Sequence, residues 1–227
     1  MRTRIAVFAS GGGSNLQALV DHFNRAGEPS AARVELVVSD RPAAGALERA
    51  ARAGIPARVV EAAGRPEDDL ARETLATLEA AGIEYVALAG YLRRIPADVV
   101  RRYRGRMTNI HPALLPAFGG RGMYGIRVHR AVLAAGCKVS GATVHLVEEE
   151  YDTGPILAQW PVPVLPGDTP EALAARVLRV EHLLYPAALE ALVLGVRPKG
   201  AAGPGAFCGC DTDAPAPEEI RRALGLE

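Results

Sequence analysis

An α/β fold with a doubly wound, mostly parallel sheet is what this 227-residue sequence predicts. Short apolar runs recur along the chain, amphipathic stretches separate them, and most of those stretches close on a glycine. A strand followed by a helix and then another strand makes a βαβ crossover, which gives parallel pairing and covers both faces of the sheet.

The elements follow in order. "RIAVFAS" is apolar without alternation, as a strand buried on both faces must be. "GGG" leads into "SNLQALVDHFNRAG", helical in period and closed by Gly27. "ARVELVVSD" and "PARVVEA" predict the next two strands, with "ALERAARAG", a helix stopped by Gly54, between them. "PEDDLARETLATLEAAG" places acidic residues in a first helical turn, where they favour the helix dipole, and ends at Gly82. "EYVALAG" is a fourth strand and "PADVVRRYRG" a helix with Pro96 near its start. A fifth strand ends in "TNIHPALLP", and there the pattern changes.

"GGRGMYG" is a glycine-rich loop and "RVHRAVLAAG" a short helix. "SGATVHLVEEEYDTGPILAQWPVPV" holds two strand-like runs around an acidic turn, so closely joined that they pair antiparallel and make the sheet mixed. "TPEALAARVLRVEHLLYPAALEALVLG" is a long amphipathic helix, capped by Thr169 with Pro170 at its first position. The expected organisation is a Rossmann-like domain over 1–196, with an N-terminal phosphate-binding half of about 1–100 and a second half of about 101–196. A Gly/Pro/Ala-rich tail follows over 197–227, with a last helical turn or two in "EEIRRALG".

Lys+Arg and Asp+Glu both number 26, and this zero net charge argues against nucleic-acid binding by bulk electrostatics. Arg101, Arg102, Arg104 and Arg106 read as a solvated face. No apolar run reaches the roughly 18 residues of a membrane span. The first apolar run leads straight into glycines without a signal-peptide cleavage pattern, so a soluble, cytoplasmic protein is expected. Three cysteines make no disulfide framework, and Cys208 and Cys210 have no nearby histidine to complete a metal site.

Two places carry chemistry. "ASGGGSNLQAL" is a glycine turn between a strand and a helix, where main-chain N–H groups and the helix dipole gather on an anion; the plainer alternative is a tight turn without a ligand. A dinucleotide fingerprint needs glycine where Leu16 stands, and a Walker A loop needs a lysine that is absent. What remains suits a terminal phosphate monoester on the amides of Gly13, Ser14 and Asn15. Asp40, where a dinucleotide enzyme carries its ribose-binding carboxylate, keeps a nucleotide cofactor open.

The second place is the end of the fifth strand. Asn109 and His111 share one face, Ile110 takes the other, and Pro112 keeps the histidine extended. Asp152 follows on the turn in "EEEYDTGPI". An amide, an imidazole and a carboxylate suit the attack of a neutral nucleophile on a carbonyl: the first two stabilise an oxyanion, the third takes up a proton or supports the charged ring. Alone, His111 reads equally as a core histidine and Asp152 as a turn residue. His22 and His129 read as surface and His182 as partly buried, while His145 alternates with Thr143 and can face the same cleft as His111. No G-x-S-x-G, H-E-x-x-H or C-x-x-C occurs, so neither an acyl-enzyme nor a metal is called for.

Taken together, "SGGGSNLQAL", "LAGYLRRIP", "NIHPALLPAF", "SGATVHLV" and "YDTGPILAQ" resemble the phosphoribosylglycinamide formyltransferases over roughly residues 3 to 196. The resemblance implies formyl transfer from 10-formyltetrahydrofolate, a co-substrate, to glycinamide ribonucleotide (GAR) in purine synthesis, by a monomer or homodimer. It implies Asn109, His111 and Asp152 as catalytic residues, with Gly13, Ser14 and Asn15 on the 5′-phosphate and Glu181 on the ribose hydroxyls. It further implies that Leu92, Arg93, Arg94, Ile95 and Asn109 line the folate pocket, with Glu148, Glu149, Glu150, Tyr151 and Asp152 closing over the pterin. The family's folate-side arginine has only Arg65 as its nearest counterpart, and "FGGRGMYGIRVHRAV" is longer than in the shorter members. Formyltetrahydrofolate hydrolase, or another formyltransferase on the same catalytic fold, is the alternative.

Overall fold

The computed structural model describes residues 2–25 and 30–196, and the backbone of a short strand at Phe207–Cys208. The chain divides into two compact units, Met1–Asn109 with Val147–Glu149, and Ile110–Leu146 with Glu150–Glu227.

The first unit alternates β1 (Thr3–Phe8), α1 (Ser14–Phe23), β2 (Ala32–Ser39), α2 (Gly45–Arg52), β3 (Ala57–Val59), α3 (Glu67–Ala80), β4 (Tyr85–Leu88), α4 (Ala97–Arg102) and the start of β5 (Met107–His111). Its strands lie in the order β3-β2-β1-β4-β5, and every neighbouring pair is parallel. From Ile5 onward β1 is buried at every residue, as a central parallel strand requires. One core joins Phe8, Leu36, Val86 and Met107 of the sheet to Leu78 of α3 and to Val99 and Tyr103 at α4. Each large side chain in it contributes about 1.5–3 kcal/mol by leaving water. The Tyr103 hydroxyl, buried there, donates to the Ile83 carbonyl at 3.1 Å.

The alternation expected from the sequence is present, with shorter edges: β3 keeps three residues. Helix α1 stops at Phe23, and the Asn24 side chain both accepts from Val34 N–H at 2.8 Å and donates to Val34 O at 3.1 Å, tying the helix end to β2. The expected stop at Gly27 lies outside the described residues.

The second unit holds the end of β5, α5 (Ile126–Ala134), β6 (Val139–Leu146), β7 (Ile156–Pro163), α6 (Pro170–Val193) and β8 (Phe207–Cys208). Strands β6 and β7 pair antiparallel, as their short connection predicts. The Thr169 hydroxyl caps α6 by accepting from Ala172 N–H at 3.1 Å, and Pro170 opens the helix. Just before the cap, Asp168 takes Arg176 in a two-pronged pair at 2.7 and 2.8 Å, fixing the entry to the helix. Most of the expected tail, with Cys210 and "EEIRRALG", lies outside the described residues. The Phe207–Cys208 strand, parallel to β7, is an addition that composition alone did not reveal.

Candidate active site

The glycine turn is built from main chain. Gly13 stands at the N-cap of α1 with φ +73°, a left-handed conformation that side chains resist. A Cβ there would lie 2.8 Å from Ala46 Cα, so the close approach of α2 also demands glycine. Helix α2 supports the turn from below: Ala46 N–H donates to Gly11 O at 3.0 Å, and Arg49 Nε donates to Gly12 O at 2.7 Å. With these carbonyls engaged, the turn presents N–H groups of the first helical residues, Ser14 and Asn15, at the carboxyl end of β1.

The segment after β4 is held at several points in the same unit. Leu92 N–H donates to the Ser10 hydroxyl at 2.9 Å, the Tyr91 ring packs edge-on against Phe8, and Ile95 is buried. Leu92, Arg93 and Arg94 are exposed. The short piece Val147–Glu149 is tied here as well: Val147 N–H donates to Met107 O, and Arg94 donates to Glu149 O. Arg101 pairs with the Glu149 carboxylate at 3.3 Å and Arg104 with Glu148 at 3.6 Å, so the arginine-rich stretch does more than face water. Arg65 is engaged by Glu73 at 2.5 Å and by the Glu61 carbonyl.

Strand β5 carries Asn109, which is half-buried, and His111, which is buried. In the second unit His111 meets Asp152 and His145. Asp152 Oδ2 lies 3.7 Å from His111 Nδ1, and Oδ1 lies 3.5 Å from His145 Nε2. Gly120 N–H donates to Oδ2 at 2.7 Å. The loop 112–125 thus reaches the carboxylate with its amide and His111 with a carbonyl, since His111 Nε2 sits 2.9 Å from Phe118 O. Gly119 allows the approach: a Cβ there would lie 2.5 Å from a Leu115 methyl and 3.2 Å from Asp152 Cβ. Asp152 itself adopts φ +57°, a left-handed conformation that Asp and Asn tolerate better than other residues with a side chain.

These contacts dictate where the protons are. A carbonyl only accepts, so Nε2 of His111 carries a hydrogen, and so does Nδ1 of His145, which is 2.8 Å from Leu146 O. In a neutral His111 ring the other nitrogen, Nδ1, is then a lone pair, and it faces Asp152. Burial pushes the His111 imidazole below its usual value, outweighing the opposing pull of Asp152 and the Phe118 carbonyl. Burial alone would raise the Asp152 carboxyl; His145, the Gly120 amide and His111 outweigh it and hold the acid below the ordinary carboxylate range. The resting pair is a carboxylate beside a neutral imidazole. One added proton turns a lone-pair contact into a charge-assisted hydrogen bond.

The other expected residues are placed as follows. Glu181 is buried on α6, while Glu150 and Tyr151 are exposed on the turn before Asp152. His129, expected at the surface, is instead buried on α5, because that helix turns Val128, His129 and Val132 inward together. Burial, and secondarily the charge of His111, push its imidazole down. Gly120, Phe118 and Arg49 carry no signal in the sequence, since each acts through main chain or on it. Among the described residues no group of three or more His, Cys, Asp or Glu side chains is arranged to hold a metal, and no helix is long and apolar enough to cross a membrane.

Residues 3–189 match the formyl transferase family. The chain is 49% identical over 186 residues to the chloroplastic phosphoribosylglycinamide formyltransferase of Arabidopsis thaliana, covering 81% of this chain and 63% of that protein. It is 42% identical over 198 residues to the human trifunctional purine biosynthetic protein adenosine-3, covering 86% of this chain and 19% of the other. Glycinamide ribonucleotide transformylase 1 from Symbiobacterium toebii shares the fold with a TM-score of 0.79 at 42% identity, over 86% of this chain and 89% of that one. The phosphoribosylglycinamide formyltransferase of Brucella melitensis does so with a TM-score of 0.77 at 44% identity, over 85% and 96%. The chain spans less than two thirds of the plant relatives' length, 63% and 61%.

Proposed function

Because this chain belongs to the formyl transferase family, we propose that it transfers a formyl group from 10-formyltetrahydrofolate to the primary amine of GAR, a step of purine biosynthesis. What supports this reading most is the Asp152 carboxylate, set between two ring nitrogens and the Gly120 amide in a chain of that family. The amides of Gly13, Ser14 and Asn15 take the 5′-phosphate, and Glu181 takes the ribose hydroxyls. The folate lies against Leu92, Arg93, Arg94, Ile95 and Asn109, and under Glu148, Glu149, Glu150, Tyr151 and Asp152. Residues 1–196 form the catalytic domain, with halves at about 1–100 and 101–196, followed by the Gly/Pro/Ala-rich tail 197–227, from which Phe207–Cys208 pairs with β7. The protein works in the cytoplasm as a monomer or homodimer.

The chemistry follows from the protonation states. The amine nitrogen attacks the formyl carbon, a C–N bond forms, and the carbonyl oxygen becomes an oxyanion. The proton that the amine must lose passes by way of Asp152 to His111 Nδ1, the atom with a free lone pair. The imidazolium so formed, held by Asp152, joins the Asn109 amide in stabilising the oxyanion. On collapse the bond to folate N10 breaks, N10 takes up a proton, and the site returns to its resting state. Direct attack by an amine requires neither a covalent enzyme intermediate nor a metal.

The test is a formyl-transfer assay with GAR, charged initiator tRNA and water as competing acceptors. Formyl-GAR should form, with tetrahydrofolate released in equal amount. Formate release in the absence of GAR would instead make the protein a hydrolase.

A further inference from the structure

Asp40 follows β2 directly, at the carboxyl end of that strand, and its side chain is only 2% exposed. Its Oδ1 is buried without a hydrogen-bond partner. Its Oδ2 lies 3.4 Å from Arg93 Nε and 3.7 Å from Arg41 Nε. A carboxylate taken out of water with so few hydrogen bonds is costly, and here the two guanidiniums are its compensation. Its importance lies in what it holds. Arg93 belongs to the segment whose backbone is anchored by the Leu92–Ser10 hydrogen bond and the buried Ile95. For the Arg93 side chain, Asp40 is the one ion-pair partner among the described residues. The carboxylate acts on a second residue of the segment too: burial first, and then the Asp40 charge, push the Tyr91 phenol above its usual range.

We propose that Asp40 is a positioning residue of the folate side: its carboxylate holds the Arg93 guanidinium, and with it the Tyr91–Ile95 segment, in the pose that receives the co-substrate. This rests on reading that segment as folate-binding. A long, half-exposed arginine left to itself samples many rotamers, and ordering it must be met out of binding free energy. A buried charge beneath it meets that cost in advance. Asp40 itself touches no reacting atom, so its effect falls on KM for the folate and not on the chemical step.

The experiment compares wild type, Asp40→Asn, Arg93→Ala, Arg93→Lys and the Asp40→Asn/Arg93→Ala double variant in steady-state formyl transfer. Asp40→Asn keeps shape and polarity but removes the charge. It should raise KM for 10-formyltetrahydrofolate by about five- to twentyfold, with kcat and KM for GAR within about threefold of wild type. Arg93→Ala should do the same, Arg93→Lys should fall between, and the double variant should be no worse than the poorer single one, because both remove one interaction. An unchanged folate KM in Asp40→Asn, or effects that multiply in the double variant, overturns the proposal. If Asp40→Asn fails to fold, Arg93→Ala and Arg93→Lys decide: an unchanged folate KM in both overturns it. A wild-type chain that does not use 10-formyltetrahydrofolate overturns the folate reading and this proposal with it; a wild-type chain that uses it, beside an unaffected Asp40→Asn, overturns the proposal alone.

Discussion

In the proposed mechanism the 11–15 turn works through main-chain N–H groups, and its glycines let the backbone approach α2. Around Asp152 that order is reversed: the proposed chemistry belongs to side chains, and main-chain groups of the loop 112–125 contact them, the Gly120 amide at Asp152 and the Phe118 carbonyl at His111. The turn depends on a dihedral angle at Gly13 and on α2 packed beneath it; it has no group that titrates near neutrality. The cluster depends on where one proton rests. Damage to the turn should therefore appear in binding and be indifferent to pH, and damage to the cluster should appear in turnover and follow pH.

The largest expected effect separates the two at once. His111→Ala removes the proposed proton acceptor and should lower kcat by at least about 10²-fold, with KM for GAR within a few-fold, measured by steady-state kinetics. Gly13→Ala tests the opposite arm. It must strain the backbone or push α2 away, at a cost of about 1–3 kcal/mol. It should raise KM for GAR by roughly tenfold, with a lower Tm and a pH profile of unchanged shape. A kcat defect as large as that of His111→Ala would erase the contrast.

His145→Gln sharpens the account of the cluster. The ring helps to hold the Asp152 carboxyl down, so its loss should let that acid rise. The acid limb of kcat/KM should move to higher pH, with kcat at pH 7.5 reduced by less than about tenfold. The smallest effect is on stability. His111 and His129 both have imidazoles depressed in the folded state from the ordinary value of 6.5. Below that value the unfolded chain binds more protons than the folded one, so stability falls as the pH drops through it. Asp152, depressed from 3.8, has the same sign: its contribution is present above that pH and is lost below it. Thermal scans should show Tm declining from pH 7 to pH 5 and again below pH 4, and His129→Asn should flatten only the first decline.

The same contrast explains how much could be read from residues alone. Strands β1 and β4 were legible because central parallel strands are apolar on both faces, and the cap of α6 because Thr169-Pro170 is a local signal. The glycine turn was legible as well, since a left-handed N-cap packed closely against a neighbouring helix writes itself as glycine. His111 and Asp152 could be marked as candidates, but not the loop that orients them. Gly120 and Phe118 act through N–H and C=O, which every sequence carries equally. His129 was misjudged because a helical period shows that a face exists without showing what packs on it. Asp40 was placed at a strand end by its sequence, yet its pairing with Arg93 arises only when the strands β2 and β4 are brought to either side of β1.

The central claim is that an ionised Asp152 carries the proton chemistry while the loop around it merely holds it. Asp152→Asn tests this most directly. Asparagine can still accept from Gly120 N–H and tolerates the left-handed backbone that this position adopts. In formyl transfer from 10-formyltetrahydrofolate to GAR, this variant should lose at least about 10²-fold in kcat while its thermal unfolding stays close to wild type. Turnover within about threefold of wild type in a folded Asp152→Asn protein would contradict the mechanism.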